Sequence, residues 1–238
     1  MKTIFNWLGL DWKRVKNHCR TTVNKEFTDI EPSEDFKRKL IISEHSPIRL
    51  LEIDWSWKDI PSWVSVHWTR HKHEKFVSTQ RDDRKDHTVS RSDMPQGTPV
   101  DMDNYANAQQ LIDIFRKRLC FQASPETREL AEDFKMALHK ECPELSDALV
   151  VNCVYRCGCP EFKTCGYFRA FLDFMRHRYY DPEAEDRGEG IYIRALTNIQ
   201  DRYDTYNEMF WDRKAQEHAD EINREIEDAV CEGLEARL

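Results

Sequence analysis

One segment of the chain has the clear alternation of a β-strand, and segments with helical spacing flank it on both sides. Between Leu51 and Trp57, apolar residues occupy every second position, which places them on one face of a strand. Residues 74–79 form a second, shorter candidate strand.

Apolar residues recur at steps of three and four over most of the remaining chain. This spacing predicts helices over 11–25, 33–43, 104–119, 125–140 and 167–179, with Ser33 and Ser124 as N-caps. The segment Asp59–Pro61 has the composition of a helix entry. Polar residues, proline and glycine predict a loop over 82–103, a cysteine-rich turn region over 150–166 and a polar break over 181–190.

The last part of the chain predicts one or two long helices. From Ile193 to Leu234 the apolar residues again follow steps of three and four, with an interruption at Arg213–Glu217. Because of that interruption, a helix packed on the domain is favoured over an oligomer contact or a short coiled coil. We therefore predict a main domain over 1–190 and a C-terminal helical extension over 191–238.

Composition and charge exclude several classes of protein. Among 238 residues the net charge is −8, which disfavours general nucleic-acid binding, and no apolar run is long enough to span a membrane. The glycine-rich loops of dinucleotide-binding and P-loop folds are missing from the sequence. The N-terminus has no cleavage site of a secretory signal. The eight cysteines are therefore interpreted as reduced thiols in a cytoplasmic protein.

A first group of cationic residues, His67, Arg70, His71, Lys72, His73 and Lys75, follows an apolar helix face. Such a density of donors suits a phosphate or diphosphate. A solvated basic turn, neutralised by Asp82 and Asp83, explains the same pattern equally well.

A second group consists of Arg116, Lys117, Arg118 and Arg128 around Cys120. A cation near the end of a helix complements the helix dipole, and salt bridges to Glu126 and Glu129 would account for the others. An anionic ligand is the alternative.

A third group is the run Cys153, Cys157, Cys159 and Cys165. Four thiolates are a common ligand set for zinc, although this spacing is not that of two zinc knuckles. Cys142 or a histidine could replace Cys157 as the fourth ligand. Free thiols in a tight turn are the alternative to a zinc site.

Four short segments follow one another between residues 15 and 140. They are Cys19–Thr22 at the end of the first helix, Glu44–Pro47 with its His-Ser-Pro turn, Trp68–Lys72 with Arg-His-Lys, and Asn107–Arg128 with an Asn-led helix followed by Arg-Leu-Cys. In this order they resemble the motifs of the flavin-dependent thymidylate synthase family.

The resemblance implies an α/β (α+β) fold that is rich in helix, has a small antiparallel sheet and carries an added C-terminal helical tail. The family forms homotetramers with active sites between subunits. In these enzymes FAD relays a hydride from NADPH while methylenetetrahydrofolate supplies a methylene group to dUMP. The resemblance implies that FAD contacts His45, Ser46, Arg70, His71, Lys72, Asn107 and Gln122. It implies that the pyrimidine deoxynucleotide contacts His67, Ser78, Gln80, Arg81 and Arg118.

The sequence departs from the family at several of these positions. Lys72 stands in place of the last arginine of the signature, Gln80 or Arg81 in place of a serine, and Gln109 in place of an arginine. Arg84 or Arg91 could supply a missing cation. These departures leave two alternative interpretations. One is an enzyme with an altered pyrimidine substrate. The other is a non-catalytic nucleotide- or flavin-binding protein that uses its last helix as a contact. The compact and diverged form is what we expect of a viral copy.

Overall fold

The computed structural model describes residues 2–81, 83–84, 89–180 and 191–235, without the side chains of 191–193, 223 and 225–235. The strands are β1 (Thr3–Gly9), β2 (Glu52–Pro61), β3 (Glu74–Val77) and β4 (Pro99–Asn107). The helices are α1 (Trp12–Thr21), α2 (Glu34–Ile42), α3 (Ser62–Thr69), α4 (Ala108–Arg118), α5 (Pro125–Glu141), α6 (Pro143–Asp147), α7 (Asn152–Arg156), α8 (Tyr167–Arg178), α9 (Ile191–Thr197) and α10 (Ile199–Glu235). Two short 3-10 turns lie at Ser46–Leu50 and Arg91–Asp93.

The four strands form one antiparallel sheet in the order β1-β2-β4-β3. β2 is the predicted strand, and it extends to Pro61 because Ile60 pairs with Val100 beyond a bulge. The helix predicted to enter at Asp59–Pro61 begins one residue later as α3. The predicted fold class, helix-rich with a small antiparallel sheet, is confirmed.

Two strands were not predicted. The prediction of a loop over 82–103 and a helix from 104 was wrong at Pro99–Asn107, which form β4. Asn104 is a polar residue at an inward-facing position, so the strand lacks a regular apolar alternation. It is tolerated there because its amide oxygen lies 3.0 Å from Nε2 of buried His73. In β1, a bulge between Phe5 and Trp7 breaks the alternation.

The core lies between one face of the sheet and the helices α3, α4 and α5. Trp55 and Trp57 of β2 are fully buried. Between ring centroids, Trp55 lies 4.9 Å from Phe134 and Trp57 lies 4.6 Å from Trp68. Phe115 of α4 completes the cluster at 4.7 Å from Phe134. Aromatic burial on this scale fixes α3 and α4 against the sheet.

The helix ends follow from local capping. The Ser33 hydroxyl accepts from the backbone amide of Phe36 as predicted. Ser124 precedes α5 as predicted, but its hydroxyl makes no capping hydrogen bond. At the start of α4, Asn107 and Gln110 cap each other reciprocally.

The chain divides into two compact units, Met1–Phe168 and Arg169–Leu238. The predicted domain boundary at residue 190 falls in 181–190, outside the described residues, as does the predicted polar break. In the second unit Tyr203, Tyr206 and Phe210 are buried. The end of the predicted apolar stripe lies among side chains that are not described. No helix in the described part of the chain is long and apolar enough to cross a membrane.

Candidate functional site

Helix α4 places the two arginines of its last turn on opposite sides. At 3.6 residues per turn, Arg116 and Arg118 project about 160° apart, whereas Gln109 lies within about 20° of Arg116. The cationic run that the sequence suggests as one cluster is therefore two separate groups.

Arg116 belongs to a neutralised group. Its guanidinium bonds both carboxylate oxygens of Glu44, and it lies 3.3 Å from an Asp113 oxygen. The guanidinium also stacks 3.5 Å from the ring centroid of Tyr155. Gln109 donates to the same Glu44 carboxylate at 2.6 Å. These contacts hold Glu44, which lies just before the turn at residue 46, against α4. The role of Arg116 is therefore structural.

Arg128 is neutralised in a similar way. It pairs with Glu132 at 3.4 Å and its guanidinium lies 4.5 Å from the ring centroid of Phe121. The partners of these two arginines are thus Glu44, Asp113 and Glu132, and the predicted Glu126 and Glu129 are not among them.

Arg118 points the other way, towards the end of α3. Its Nε donates to Nε2 of His71 at 2.7 Å, and its Nη2 donates to the carbonyl oxygen of His67 at 2.6 Å. Because a guanidinium only donates, His71 Nε2 must accept, so this imidazole is neutral with its proton on Nδ1. The guanidinium is held in place by two neutral acceptors and keeps its full charge.

His67 is oriented by a short chain of hydroxyls. The Ser124 hydroxyl donates to Oγ1 of Thr127 at 2.9 Å, and the Thr127 oxygen lies 2.8 Å from Nδ1 of His67. The Thr127 proton is then available for Nδ1, which leaves the proton of a neutral His67 on Nε2. Thr127 is fully buried, so the His67 ring has a fixed support.

The electrostatics keep these imidazoles uncharged. Burial, followed by the nearby charge of Arg118, lowers the pKa of His71 from 6.5 to about 4; His73, Lys117 and Lys75 act in the same direction. Burial and the Arg118 and Arg70 charges lower the pKa of His67, against a smaller opposite effect of Glu126. Burial and Arg70 lower the pKa of Arg118.

A cleft adjoins this group. Its cavity volume is ≈ 410 Å³, and its lining includes His67, Arg70, Gln80, Arg91 and Trp63. No carboxylate in the described part of the chain forms an ion pair with Arg70 or Arg118. Cationic and neutral donors beside an apolar ring suit an anion attached to a flat ring.

The remaining residues of the first basic group serve the fold. His73 is buried, and its ring is nearly parallel to that of Trp55. Lys75 donates to the carbonyl oxygens of His71 and His73. Lys72 is exposed. Of the six cationic residues, His67 and Arg70 thus line the cleft, and His71 bonds Arg118.

The other residues predicted to bind FAD lie elsewhere. His45 and Ser46 are exposed and follow Glu44, on the Arg116 side of α4. Asn107 caps the N-terminus of α4, about 16 Å along the axis from Arg118. Gln122 is exposed and donates to the Lys163 carbonyl at 2.9 Å. None of these four residues lines the cleft beside Arg70. The cationic group fits a phosphate, and the other group offers neutral hydrogen-bonding partners.

Two residues predicted to bind the nucleotide are used locally. The Ser78 hydroxyl accepts from the backbone amide of Asp101 at 3.0 Å, which extends the pairing of β3 and β4. Arg81 pairs with Asp83 on the surface at 2.6 Å, and Arg84 lies beside the same carboxylate. Gln80 lines the cleft.

The cysteine region is arranged differently from the predicted set. Cys157 ends α7 in a left-handed conformation and is exposed. Cys153, Cys159 and Cys165 lie around one small cavity with Cys120 instead. Among the described residues, no three His, Cys, Asp or Glu side chains are already arranged to hold a metal ion.

No family model and no curated protein sequence matches this chain. Solved structures do. Thymidylate synthase X from Helicobacter pylori, crystallised with FAD and dUMP, is 15% identical at a TM-score of 0.53, over 63% of this chain and 99% of that chain. The UMP/dUMP methylase PolB from Streptomyces cacaoi, bound with 5-Br dUMP, is 14% identical at a TM-score of 0.51, over 62% of this chain and 93% of that one.

These likenesses define the fold class. The fold is that of the flavin-dependent thymidylate synthases, with additional chain beyond it. A second structure of the Helicobacter pylori enzyme, complexed with FAD and dUMP, gives the same result at a TM-score of 0.53 and 15% identity, covering 63% of this chain and 100% of that one. Identity at this level shows the fold alone, so the chemistry has to be argued from the site.

Sequence reasoning missed Thr127 as the support of His67 and Glu44 as the partner of Arg116. Thr127 stands one residue before Arg128, in a segment that the sequence marks for its motif and its charges. Glu44 is separated from Arg116 by 72 positions. A helical-wheel projection of α4 would have separated Arg116 from Arg118, but it could not have identified their partners.

Proposed function

We propose that this protein is an FAD-dependent enzyme that transfers a one-carbon unit from methylenetetrahydrofolate to dUMP, giving dTMP, with NADPH as the reductant. The observation that carries the proposal is the arrangement of Arg118. Neutral acceptors orient it, Arg70 and His67 flank it, and no carboxylate in the described part of the chain neutralises it.

In this proposal the nucleotide phosphate binds to Arg118 and Arg70, because a guanidinium can grip two phosphate oxygens at once. His67 and Gln80 line the same cleft as Arg70 and would supply hydrogen bonds to the rest of the nucleotide. The apolar side of the cleft, formed by Trp63 and Met94, suits a pyrimidine ring and excludes water from it.

FAD would be held by Arg70, His71 and Lys72 on one side and by His45, Ser46, Asn107 and Gln122 on the other. When bound, it would relay the hydride from NADPH. Because the second group does not line the cleft with Arg70, we propose that a homo-oligomer, a tetramer as in the family, brings the two groups together from different copies. We also propose a cytoplasmic location, because the cysteines in the described part of the chain form no disulfide with one another.

The test uses the purified full-length chain. We expect a flavin absorption spectrum, or saturable binding of added FAD, and the formation of dTMP from dUMP in the presence of methylenetetrahydrofolate and NADPH. A colourless protein that binds neither FAD nor dUMP would overturn the proposal. A protein that binds both but forms no dTMP would favour a non-catalytic nucleotide- and flavin-binding role.

A second candidate function is the modification of another pyrimidine nucleotide. Ser78 and Arg81 are engaged by Asp101 and Asp83 and do not line this cleft, so two of the expected dUMP contacts are missing from it. Mass spectrometry of dUMP, UMP and dCMP after incubation with the same donors separates the two candidates. Conversion of UMP or dCMP in preference to dUMP would favour the second.

A further inference from the structure

Four cysteines from three separate segments surround one small cavity. Cys120 follows α4, Cys153 lies in α7, and Cys159 and Cys165 belong to the loop after α7. All four line a cavity of ≈ 10 Å³, which is about the space that one water-sized particle occupies. The fold therefore brings these four cysteines to the border of one enclosed space.

The loop that carries two of these cysteines has little structure of its own to hold it. Residues 159–165 make no backbone–backbone hydrogen bond to any residue that the structure describes. Phe162 within it is fully exposed, so the loop does not bury an apolar side chain there. In the middle of the loop, the Lys163 carbonyl accepts a hydrogen bond from the Gln122 side chain. A further link at Cys159 and Cys165 would explain its path.

The electrostatics of the cavity favour a cation. Burial, followed by the neighbouring Cys120, Cys159 and Cys165, raises the pKa of the Cys153 thiol to about 12. Burial also raises the pKa of Cys120, with added effects of Cys165, Glu161 and Cys159. Negative charge on any one thiol is therefore disfavoured by the others. A divalent cation reverses this effect, since it attracts all four thiolates at once.

We propose that Cys120, Cys153, Cys159 and Cys165 bind one zinc ion in a closed structural site. Four sulfur ligands are a usual set for tetrahedral zinc, and they leave no open position for catalysis. Because the thiols are not already arranged around an ion, binding draws the sulfurs inward by side-chain rotation to about 2.3 Å from the metal. Each thiol releases its proton to solvent as it binds.

This ligand set differs from the one that the sequence suggests. Cys157 is excluded because it does not line the cavity. Cys120, which is 33 positions before Cys153 in the chain, takes its place. Cys120 lies two residues after Arg118, so the zinc ion would tie the Arg118 end of α4 to the loop. The proposal does not rest on the proposed function, since zinc content is measured without nucleotide.

The first experiment measures the metal content of the purified full-length protein by mass spectrometry. We expect one zinc ion per chain, and absorption bands of tetrahedral cobalt thiolate after exchange with Co²⁺. Cys159→Ser and Cys165→Ser should lose most of the metal. The matched control Cys157→Ser, in the same loop, should keep it. Equal loss of zinc from Cys157→Ser and Cys159→Ser would overturn the assigned ligand set.

A second measurement covers the case in which the serine variants do not fold. Zinc is removed from the wild-type protein with a chelator, and cleavage after Lys163 by trypsin is followed with and without added Zn²⁺. We expect faster cleavage after removal and protection when Zn²⁺ is restored. A wild-type protein that holds no zinc and binds neither added Zn²⁺ nor Co²⁺ would overturn the proposal.

Discussion

Arg116 and Arg118 are two positions apart on one helix, yet their surroundings differ in kind. Arg116 is buried against Tyr155 and its charge is neutralised by Glu44 and Asp113. Arg118 bonds a neutral imidazole and a carbonyl oxygen. No carboxylate among the described residues forms an ion pair with it. The comparison shows that charge density in a sequence does not identify an anion site; the partners of each cation do.

The two sides of α4 also differ in what a mutation should change. On the Arg116 side, a buried ion pair contributes to the fold, because removing one partner leaves the other charge unpaired. On the Arg118 side, like charges lie near each other, and their repulsion is relieved only when an anion binds. Stability and ligand binding should therefore respond separately to mutations on the two sides.

The largest expected effect is on stability at Arg116. Arg116→Ala leaves the Glu44 carboxylate without its main partner, and we expect the free energy of unfolding to fall by about 3 kcal/mol. Arg118→Ala should cost only about 1 kcal/mol, because it removes two hydrogen bonds but also a repulsion with Arg70. Urea denaturation of both variants checks this. Equal losses would mean that the two arginines do not differ as described.

The next effect is on nucleotide binding at Arg118. Arg118→Ala should weaken the binding of dUMP by roughly 100-fold, since the lost contact is a charge-assisted hydrogen bond to phosphate. Lys117→Ala is the matched control: Lys117 is exposed and adjacent, and its loss should change the affinity by less than about threefold. Isothermal titration calorimetry measures both. Equal losses from the two variants would show that only the general positive field binds the nucleotide.

The sequence predicted the Arg118 side better than the Arg116 side. Arg70, His71 and Arg118 belong to motifs whose order along the chain is visible, and the structure brings them together. Glu44 and Tyr155 depend on packing between distant segments, and no local pattern indicates that they meet on Arg116. For the same reason Cys157 was chosen by spacing, whereas Cys120 joins the other cysteines only through the fold.

The strands show a related limit. β2 was predicted because its alternation is uninterrupted and its inner residues are large. β4 pairs with β2 along most of its length but was missed, because Asn104 occupies an inner position that a period-two pattern expects to be apolar. The hydrogen bond to His73 that makes Asn104 acceptable there is a tertiary contact, which a sequence pattern does not contain.

A third prediction concerns the charge state of His71. Its pKa of about 4 in the folded protein lies below the ordinary 6.5, because of burial and then Arg118. Between these pH values the unfolded chain binds more protons, so this group lowers stability as pH falls from about 6.5 to about 4. In Arg118→Ala the pKa of His71 should rise but stay below 6.5, since burial remains. Titration of the His71 ring by NMR checks this, and an unchanged pKa would contradict the Arg118–His71 contact.

The smallest expected effect lies one contact further from the cleft, at Thr127. Thr127→Val keeps the shape of the buried side chain but removes the hydroxyl beside His67 Nδ1. We expect a loss of about 1 kcal/mol in unfolding free energy. The affinity for dUMP should weaken by about fivefold, because the His67 ring, which lines the cleft, is no longer held in one orientation.

Thr127→Ser keeps the hydroxyl and should retain the affinity to within about twofold, although it loses a buried methyl group and therefore some stability. If both variants weaken dUMP binding equally, the effect comes from packing and not from the hydroxyl. Thr127 would then resemble Arg116, since it would stabilise the fold without orienting His67 for dUMP binding.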